Sequence, residues 1–212
     1  MSSNEYKVIG LSGVAGSGKD LFCELLVNSY PNMKRYSLAD SLKSELRPYI
    51  LQNTNIDILN CSRDQKDTVR PLLVKYAKEK RESSKGRHWL RKLNERMLPL
   101  KENVCITDIR YDDYDHDEVY WLKYELGGVL VHISRYEIIN NNKKFCEAPN
   151  EEERRNNPKL IAKADYVIQW PTFDGGLEEV KPLAKREVDK FLDWLSDDQQ
   201  TKRQSVNMEG QA

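Results

Sequence analysis

GLSGVAGSGKDLFCELL, residues 10–26, decides the fold. Gly13, Gly18 and Lys19 fit the pattern G-x-x-x-x-G-K, in which small residues let backbone N–H groups wrap closely around a phosphate. A helix that opens on such a loop adds a partial positive charge at its N-terminus. The run YKVIGLS (6–12) ahead of the loop reads as a strand, and residues 18–29 behind it read as a helix, which is the setting the motif requires. On this reading Gly13, Ala15, Gly16, Ser17, Gly18, Lys19, Asp20 and Leu21 form a nucleotide-phosphate cradle, with Lys19 reaching the outer phosphates. One position departs from the pattern. Where a Ser or Thr hydroxyl ordinarily serves Mg²⁺, the chain has Asp20, and residue 21 is leucine. A carboxylate there can hold Mg²⁺, directly or through water, or it can simply favour the helix start.

Four more apolar, β-branched runs follow: KRYSLA (34–39), NVCITD (103–108), GVLVHIS (128–134) and ADYVIQW (164–170). Helical spacing fills 40–52, 64–82, 86–98, 115–126 and 176–195. The alternation predicts an α/β fold with a five-stranded parallel sheet flanked by helices. The pair 64–82 and 86–98 has no strand between its members, is too long for one crossover, and reads as an inserted helical cap. Residues 1–196 form the expected domain. The segment 197–212 is polar and aperiodic and is expected to be disordered.

The totals exclude several function classes. Lys plus Arg number 34 and Asp plus Glu number 34, which argues against stable nucleic-acid binding. Four cysteines form no CxxC pair, and three histidines show no metal-ligand spacing. Cys23 and Cys105 fall in apolar runs and read as buried hydrophobes in a reducing compartment. No signal peptide or membrane-length apolar run is visible, so a cytoplasmic protein without a membrane partner is expected. A homodimer is left open.

Asp108 ends an apolar strand, the position where ligands bind in open α/β sheets, and Arg110 lies two residues on. The pair reads as Mg²⁺ or substrate positioning, with a structural ion pair as the alternative. Lys43, Lys66, Arg70 and Arg81 lie on predicted helices, where a basic residue alone usually means solvated surface. Phosphoryl transfer, however, needs cations around the migrating group and the acceptor. The stretch APNEEERRNNP (148–158) reads either as a solvated helical turn with Glu151 and Arg155 at i,i+4, or as a mobile lid carrying Arg154 and Arg155.

An ordered set of motifs carries a resemblance across most of 6–195. It runs from Gly18-Lys19-Asp20 through Leu38-Ala39-Asp40 with Lys43, then Lys66-Asp67, Arg70-Pro71-Leu72-Leu73, Arg81 and His88-Trp89. It continues with Thr107-Asp108-x-Arg110, Gly127-Gly128, Pro149-Asn150-Glu151-Glu152 and Ala164-Asp165-Tyr166. This set is similar to the deoxynucleoside monophosphate kinases of tailed phages and, more distantly, to animal phosphomevalonate kinase. The lysine–aspartate pair is a trait of that group. The resemblance implies a P-loop NTPase fold, ATP and Mg²⁺, and transfer of a γ-phosphoryl group to a deoxynucleoside 5′-monophosphate, in the host cytoplasm if phage-encoded. It implies Lys19, Asp20, Arg110, Arg154 and Arg155 as catalytic residues, and Asp20 and Asp108 as metal ligands. Asp40, Lys43, Lys66, Arg70, Arg81, Trp89, Asp108 and Arg110 would bind the acceptor. Arg135 would face the nucleotide, with a lid over 136–158. Ala77 departs from the glycine expected there. The rival readings are a kinase for another small phosphate monoester and a non-catalytic ATP-binding regulatory protein.

Overall fold

A computed structural model describes the backbone of residues 6–172 and 177–209, and the side chains of these apart from 177–178 and 198–209. β1 (Val8–Ser12) is central and fully buried. It pairs in parallel with β3 (Asn103–Ile106) on one side and β4 (Val129–Ile139) on the other. β2 (Met33–Tyr36) joins β3, and β6 (Tyr166–Pro171) joins β4, both in parallel. The five parallel strands expected from the sequence are present and run in the order β2-β3-β1-β4-β6, so that the glycine loop follows the central strand. The sheet has a sixth strand that the sequence reading lacked. β5 (Asn142–Phe145) turns back antiparallel on the far half of β4, through Asn140 and Asn141 at positive φ. Asparagine tolerates that left-handed region better than most residues, which is why the hairpin turns there.

Alternation along the strands sends residues to two cores. Val8, Ile106 and Leu130 pack under α4 (Arg87–Met97) and a short helical segment, α5 (Glu118–Tyr120), that continues as a π-helical turn over Trp121–Glu125. Ile9, Leu11, Cys105, Val131, Ile133 and Ile168 pack under α1 (Lys19–Ser29) and α7 (Leu177–Glu209). From α1 come Phe22, Cys23 and Leu26. Ala184, Val188, Phe191 and Leu195 of α7 complete this layer at the spacing read from the sequence. All four cysteines are free, and Cys23 and Cys105 are buried.

The helical insertion is α2 (Leu38–Thr54), α3 (Arg63–Ser83) and α4. α2 and α3 share a satellite core of Leu46, Ile50, Ile58, Val69 and Leu73. The strand expected over 34–39 stops at Tyr36. Ser37 takes the cap position, its hydroxyl accepting from Ala39 N at 3.2 Å, so Leu38 and Ala39 begin α2. Most of the stretch 148–158, expected as a charged helical turn or a lid, belongs to a full helix, α6 (Glu151–Lys163). Asn150 caps it, with its side chain accepting from Glu153 N at 2.8 Å. α7 continues past Ser196 to Glu209, over part of the segment 197–212 that the sequence reads as a disordered tail, and 210–212 lie outside the described residues. The tail has no apolar stripe to dock. The leader at 1–5 lies outside the described residues.

Candidate nucleotide site

The loop between β1 and α1 needs glycine where its backbone turns left-handed. Gly13 has φ +137° and Gly18 φ +98°. A Cβ at Gly13 would strike the Ile133 carbonyl, and one at Gly18 would strike the Trp170 ring. Trp170, from the end of β6, donates its indole N–H to Ser17 O at 2.7 Å and so props the loop from beneath. No motif flagged this tryptophan. Its only sequence signal is an indole at the end of the last strand, opposite a loop made of small residues. Within the loop Ser17 N donates to Val14 O at 3.1 Å.

Lys19 turns into the loop it ends. Its Nζ donates to Gly13 O at 2.7 Å and Val14 O at 2.8 Å, with Ser17 Oγ at 3.4 Å. Burial lowers its pKa to about 8, and the nearby Arg110 guanidinium pushes the same way, while Glu153, Asp20 and Asp108 oppose. Two cations therefore converge on one loop that presents backbone N–H groups. That arrangement suits a multiply charged anion. Asp20 is exposed in the first turn of α1, and its carboxylate accepts no hydrogen bond among the described residues.

Asp108 is buried and already engaged. Its Oδ1 accepts from Leu38 N at 2.8 Å, and its Oδ2 accepts from Ser37 Oγ at 2.7 Å and Ala39 N at 2.9 Å. It ties the end of β3 to the start of α2. Asp40, in that same first turn, lies 3.2 Å from Arg35 and 3.4 Å from Lys43. Arg110 is 47% exposed, and its guanidinium lies 4.0 Å from Glu153. Its backbone N–H, with that of Tyr111, donates to the buried Glu118 at 2.6 and 3.0 Å.

Lys66, Arg70, Trp89 and Arg81, expected to bind the acceptor, make their contacts within the helical insertion and with the segment after β3, and Arg154 and Arg155, expected to serve the phosphates, have partners of their own. Arg70 is 56% exposed and pairs with Asp67 at 2.6 Å on its own helix. Lys66 on the same helix has its backbone N–H on Ser62 O, and its side chain is half-buried. Trp89 lies in the core, with its N–H on Ala77 O at 3.3 Å. Arg81 is 9% exposed. It grips Asp117 with both arms of its fork, lies 3.6 Å from Glu118 and Asp113, and stacks on Tyr111 at 3.9 Å. Arg154 pairs with Glu151, and Arg155 pairs with Asp113 at 2.9 Å. Arg135 lines a cavity of about 210 Å³ beside Val14, shared with His132, Cys146, Asn157 and Gln169. Its Nε is buried without a hydrogen bond.

His132, read from sequence as a plain strand residue, lies under the loop with Nδ1 3.0 Å from Ser12 Oγ. Burial, helped by the Lys19 charge, lowers its pKa to about 4. In the unfolded chain the imidazole takes up a proton near pH 6.5 that the folded site refuses. The sign follows directly: His132 costs stability as pH falls from 6.5 toward 4, by up to about 3 kcal/mol. Burial also raises the Glu118 pKa, and that group works in the opposite sense over part of this range. The comparison that isolates His132 is therefore the urea midpoint of wild type against His132→Asn at pH 7 and pH 5. Wild type is expected to lose more stability than the variant between the two. Equal losses would show that His132 titrates normally.

No helix among the described residues is long and apolar enough to cross a membrane. No group of three or more His, Cys, Asp or Glu side chains among them is arranged to hold a metal ion. No protein-family model and no curated protein matches the chain. Among solved structures, a dephospho-CoA kinase from Campylobacter jejuni superposes with a TM-score of 0.46 at 14% identity, over 92% of this chain and 98% of that one. A shikimate kinase from Acinetobacter baumannii, in complex with shikimate, superposes with a TM-score of 0.42 at 14% identity, over 92% and 96%.

Proposed function

We propose that this chain is an ATP-dependent kinase that transfers the γ-phosphoryl group of ATP to the phosphate of a deoxynucleoside 5′-monophosphate, giving ADP and the diphosphate. The observation that carries the reading is the glycine loop at the end of the central strand with Lys19 turned into it and Arg110 beside it. The loop N–H groups from Gly13 to Asp20 and the Lys19 ammonium hold the outer phosphates. Arg110, on the loop after β3, meets the acceptor phosphate or the group in transfer. The acceptor is already an anionic phosphate and needs no strong base, so positioning and charge do the chemistry.

Mg²⁺ fits this site in a restricted way. Asp20 has a free carboxylate at the loop's end, whereas both Asp108 oxygens are engaged by α2. Asp20 would therefore hold the ion, whose other ligands would be phosphate oxygens and water. When bound, Mg²⁺ offsets negative charge on the phosphates. Asp108 acts indirectly, by fixing the start of α2 where Asp40 and Lys43 lie. Arg154 and Arg155 would reach the phosphates only after leaving Glu151 and Asp113.

A second reading keeps the reaction and changes the acceptor to a small phosphate monoester that is not a nucleotide. It is favoured by Trp89 and Arg81, which are enclosed and offer no platform to a nucleobase. ADP release measured with ATP and a panel of deoxynucleoside, ribonucleoside and non-nucleoside phosphates separates the two. Arg110→Ala is expected to raise the acceptor KM roughly ten-fold or more and the ATP KM much less, as loss of a charge-assisted hydrogen bond predicts. ATP binding with no acceptor-dependent ADP release would sink the kinase reading in favour of a regulatory ATP-binding protein.

A further inference from the structure

The amide of Ala15, at the crest of the glycine loop, already carries an anion. It donates to Glu153 Oε2 at 3.0 Å, across 138 residues of sequence. The other oxygen, Oε1, accepts from Asn150 Nδ2 at 3.1 Å and lies 4.0 Å from the Arg110 guanidinium. The Glu153 carboxylate also supports the Lys19 charge. One carboxylate of α6 thus sits among a loop amide and the two cations that would otherwise meet a phosphate. Its side chain is only 14% exposed, so it is set into the site rather than waving over it. Its neighbours Glu151 and Glu152 point elsewhere, toward Arg154 and toward Tyr111 and Lys78.

We infer that Glu153 is an internal competitor for the phosphate site, so that any polyphosphate taking the Ala15 amide must first displace it. This inference rests on the nucleotide-site reading above. An N–H donor cannot serve a carboxylate and a phosphate at full strength at once, and two anions cannot share the space between Lys19 and Arg110 without repulsion. Displacement has a geometric consequence. Glu153 is rooted in the first turn of α6 through Asn150, so a ligand that expels the carboxylate also frees the start of that helix from the loop. The same expulsion raises a threshold for ligands. An anion that meets one amide gains too little to evict Glu153, whereas an extended polyphosphate that meets several amides and both cations gains enough. Glu153 thereby sets which anions occupy the loop at a given concentration.

The test is titration calorimetry with ATP, pyrophosphate and inorganic phosphate against wild type, Glu153→Ala and Glu153→Asp. Aspartate keeps the charge but shortens the reach by one methylene, which separates occupancy of the amide from the field of a nearby charge. Glu153→Ala is expected to bind ATP and pyrophosphate about ten-fold more tightly than wild type, the size of one charge-assisted hydrogen bond, and Glu153→Asp, which frees the amide but keeps a charge nearby, also more tightly but by a smaller factor. In the ligand-free proteins the Ala15 amide resonance should move in both variants, and in wild type it should move on adding ATP. Tighter binding by Glu153→Ala alone would mean that charge acts at a distance, and would overturn the competitor. Unchanged or weaker binding in both variants would overturn it too. If wild type and both variants bind none of the three ligands, the nucleotide-site reading fails and this inference falls with it. Melting curves of the two variants guard against a folding defect, and the aspartate variant keeps the test open if the alanine variant melts early.

Discussion

Lys19→Met is expected to leave the protein folded and to cut acceptor-dependent ADP release roughly a hundred- to a thousand-fold, the usual cost of removing one preorganised charge from a transferring group. The structure explains why the fold survives. The Lys19 ammonium rests on two loop carbonyls, but burial and Arg110 both press against its charge, which is why its pKa falls to about 8. With the folded pKa below the unfolded one, the unfolded chain holds the proton more tightly between pH 8 and 10.5, so the charged lysine lowers stability below that window. Methionine removes this strain along with the hydrogen bonds. The melting temperature should therefore stay within a few degrees of wild type. A second readout needs no turnover. At pH 8 the free ammonium is about half deprotonated, and a phosphate beside it would restore the charge. ATP binding at pH 8 should then take up about half a proton, visible as a dependence of the calorimetric heat on buffer ionisation enthalpy. Lys19→Met should abolish that dependence. Near wild-type turnover in Lys19→Met would remove the assignment of the loop.

How much of this was legible in the sequence depends on the range over which each feature is decided. The loop is local: Gly13, Gly18 and Lys19 declare it, and the flanking strand and helix confirm its setting within 20 residues. The five parallel strands were legible for the same reason, since buried runs such as VLVHI and NVCI carry their own signal. The hairpin of β4 and β5 was not, because Glu137–Ile139 and Asn142–Phe145 are exposed and mix charge with apolar residues. α6 was obscured by its three glutamates, two arginines and the internal Pro158, and its order comes from Asn150 and from Asn156, which is buried against the loop around Asp113. The candidate site divides along the same line. Lys19 and Arg110 lie near enough at the loop for the guanidinium charge to lower the lysine pKa, and both positions are marked in the sequence, the one by its glycine loop and the other by the strand end at Asp108. Glu153, Trp170 and His132 come to the loop from other strands and helices, and pairings of that range leave no local trace. Basic residues were the hardest to sort. A buried arginine with two acidic partners and an arginine awaiting a phosphate look alike in one dimension.

Arg81 is the case where that ambiguity can be resolved by one measurement. If it binds the acceptor, as the family resemblance implies, Arg81→Ala should raise the acceptor KM and leave the melting temperature alone. The geometry argues for the opposite result. Its fork lies on Asp117, which is fully buried and also accepts from the N–H groups of Asp113, Tyr114 and Glu118. Glu118 beside it receives the N–H groups of Arg110 and Tyr111. Burial works against the Arg81 charge, but the two carboxylates more than offset it and raise its pKa. These three side chains fold the segment between β3 and α5, and that segment delivers Arg110 to Lys19. Alanine would leave Asp117 and Glu118 buried with no cation. Breaking a buried pair in this way costs about 3–5 kcal/mol. In a chain of this size that corresponds to a melting temperature lower by on the order of 10 °C. Arg110 would lose its platform, so both ATP and acceptor kinetics should deteriorate together even below the transition. Replacing the acid as well tests the pairing itself: Arg81→Met combined with Asp117→Asn should be less destabilised than the sum of the two single changes. An Arg81→Ala protein that melts with wild type and fails only toward the acceptor would return this residue to the substrate, and the segment after β3 would then owe its shape to something other than the Arg81–Asp117–Glu118 cluster.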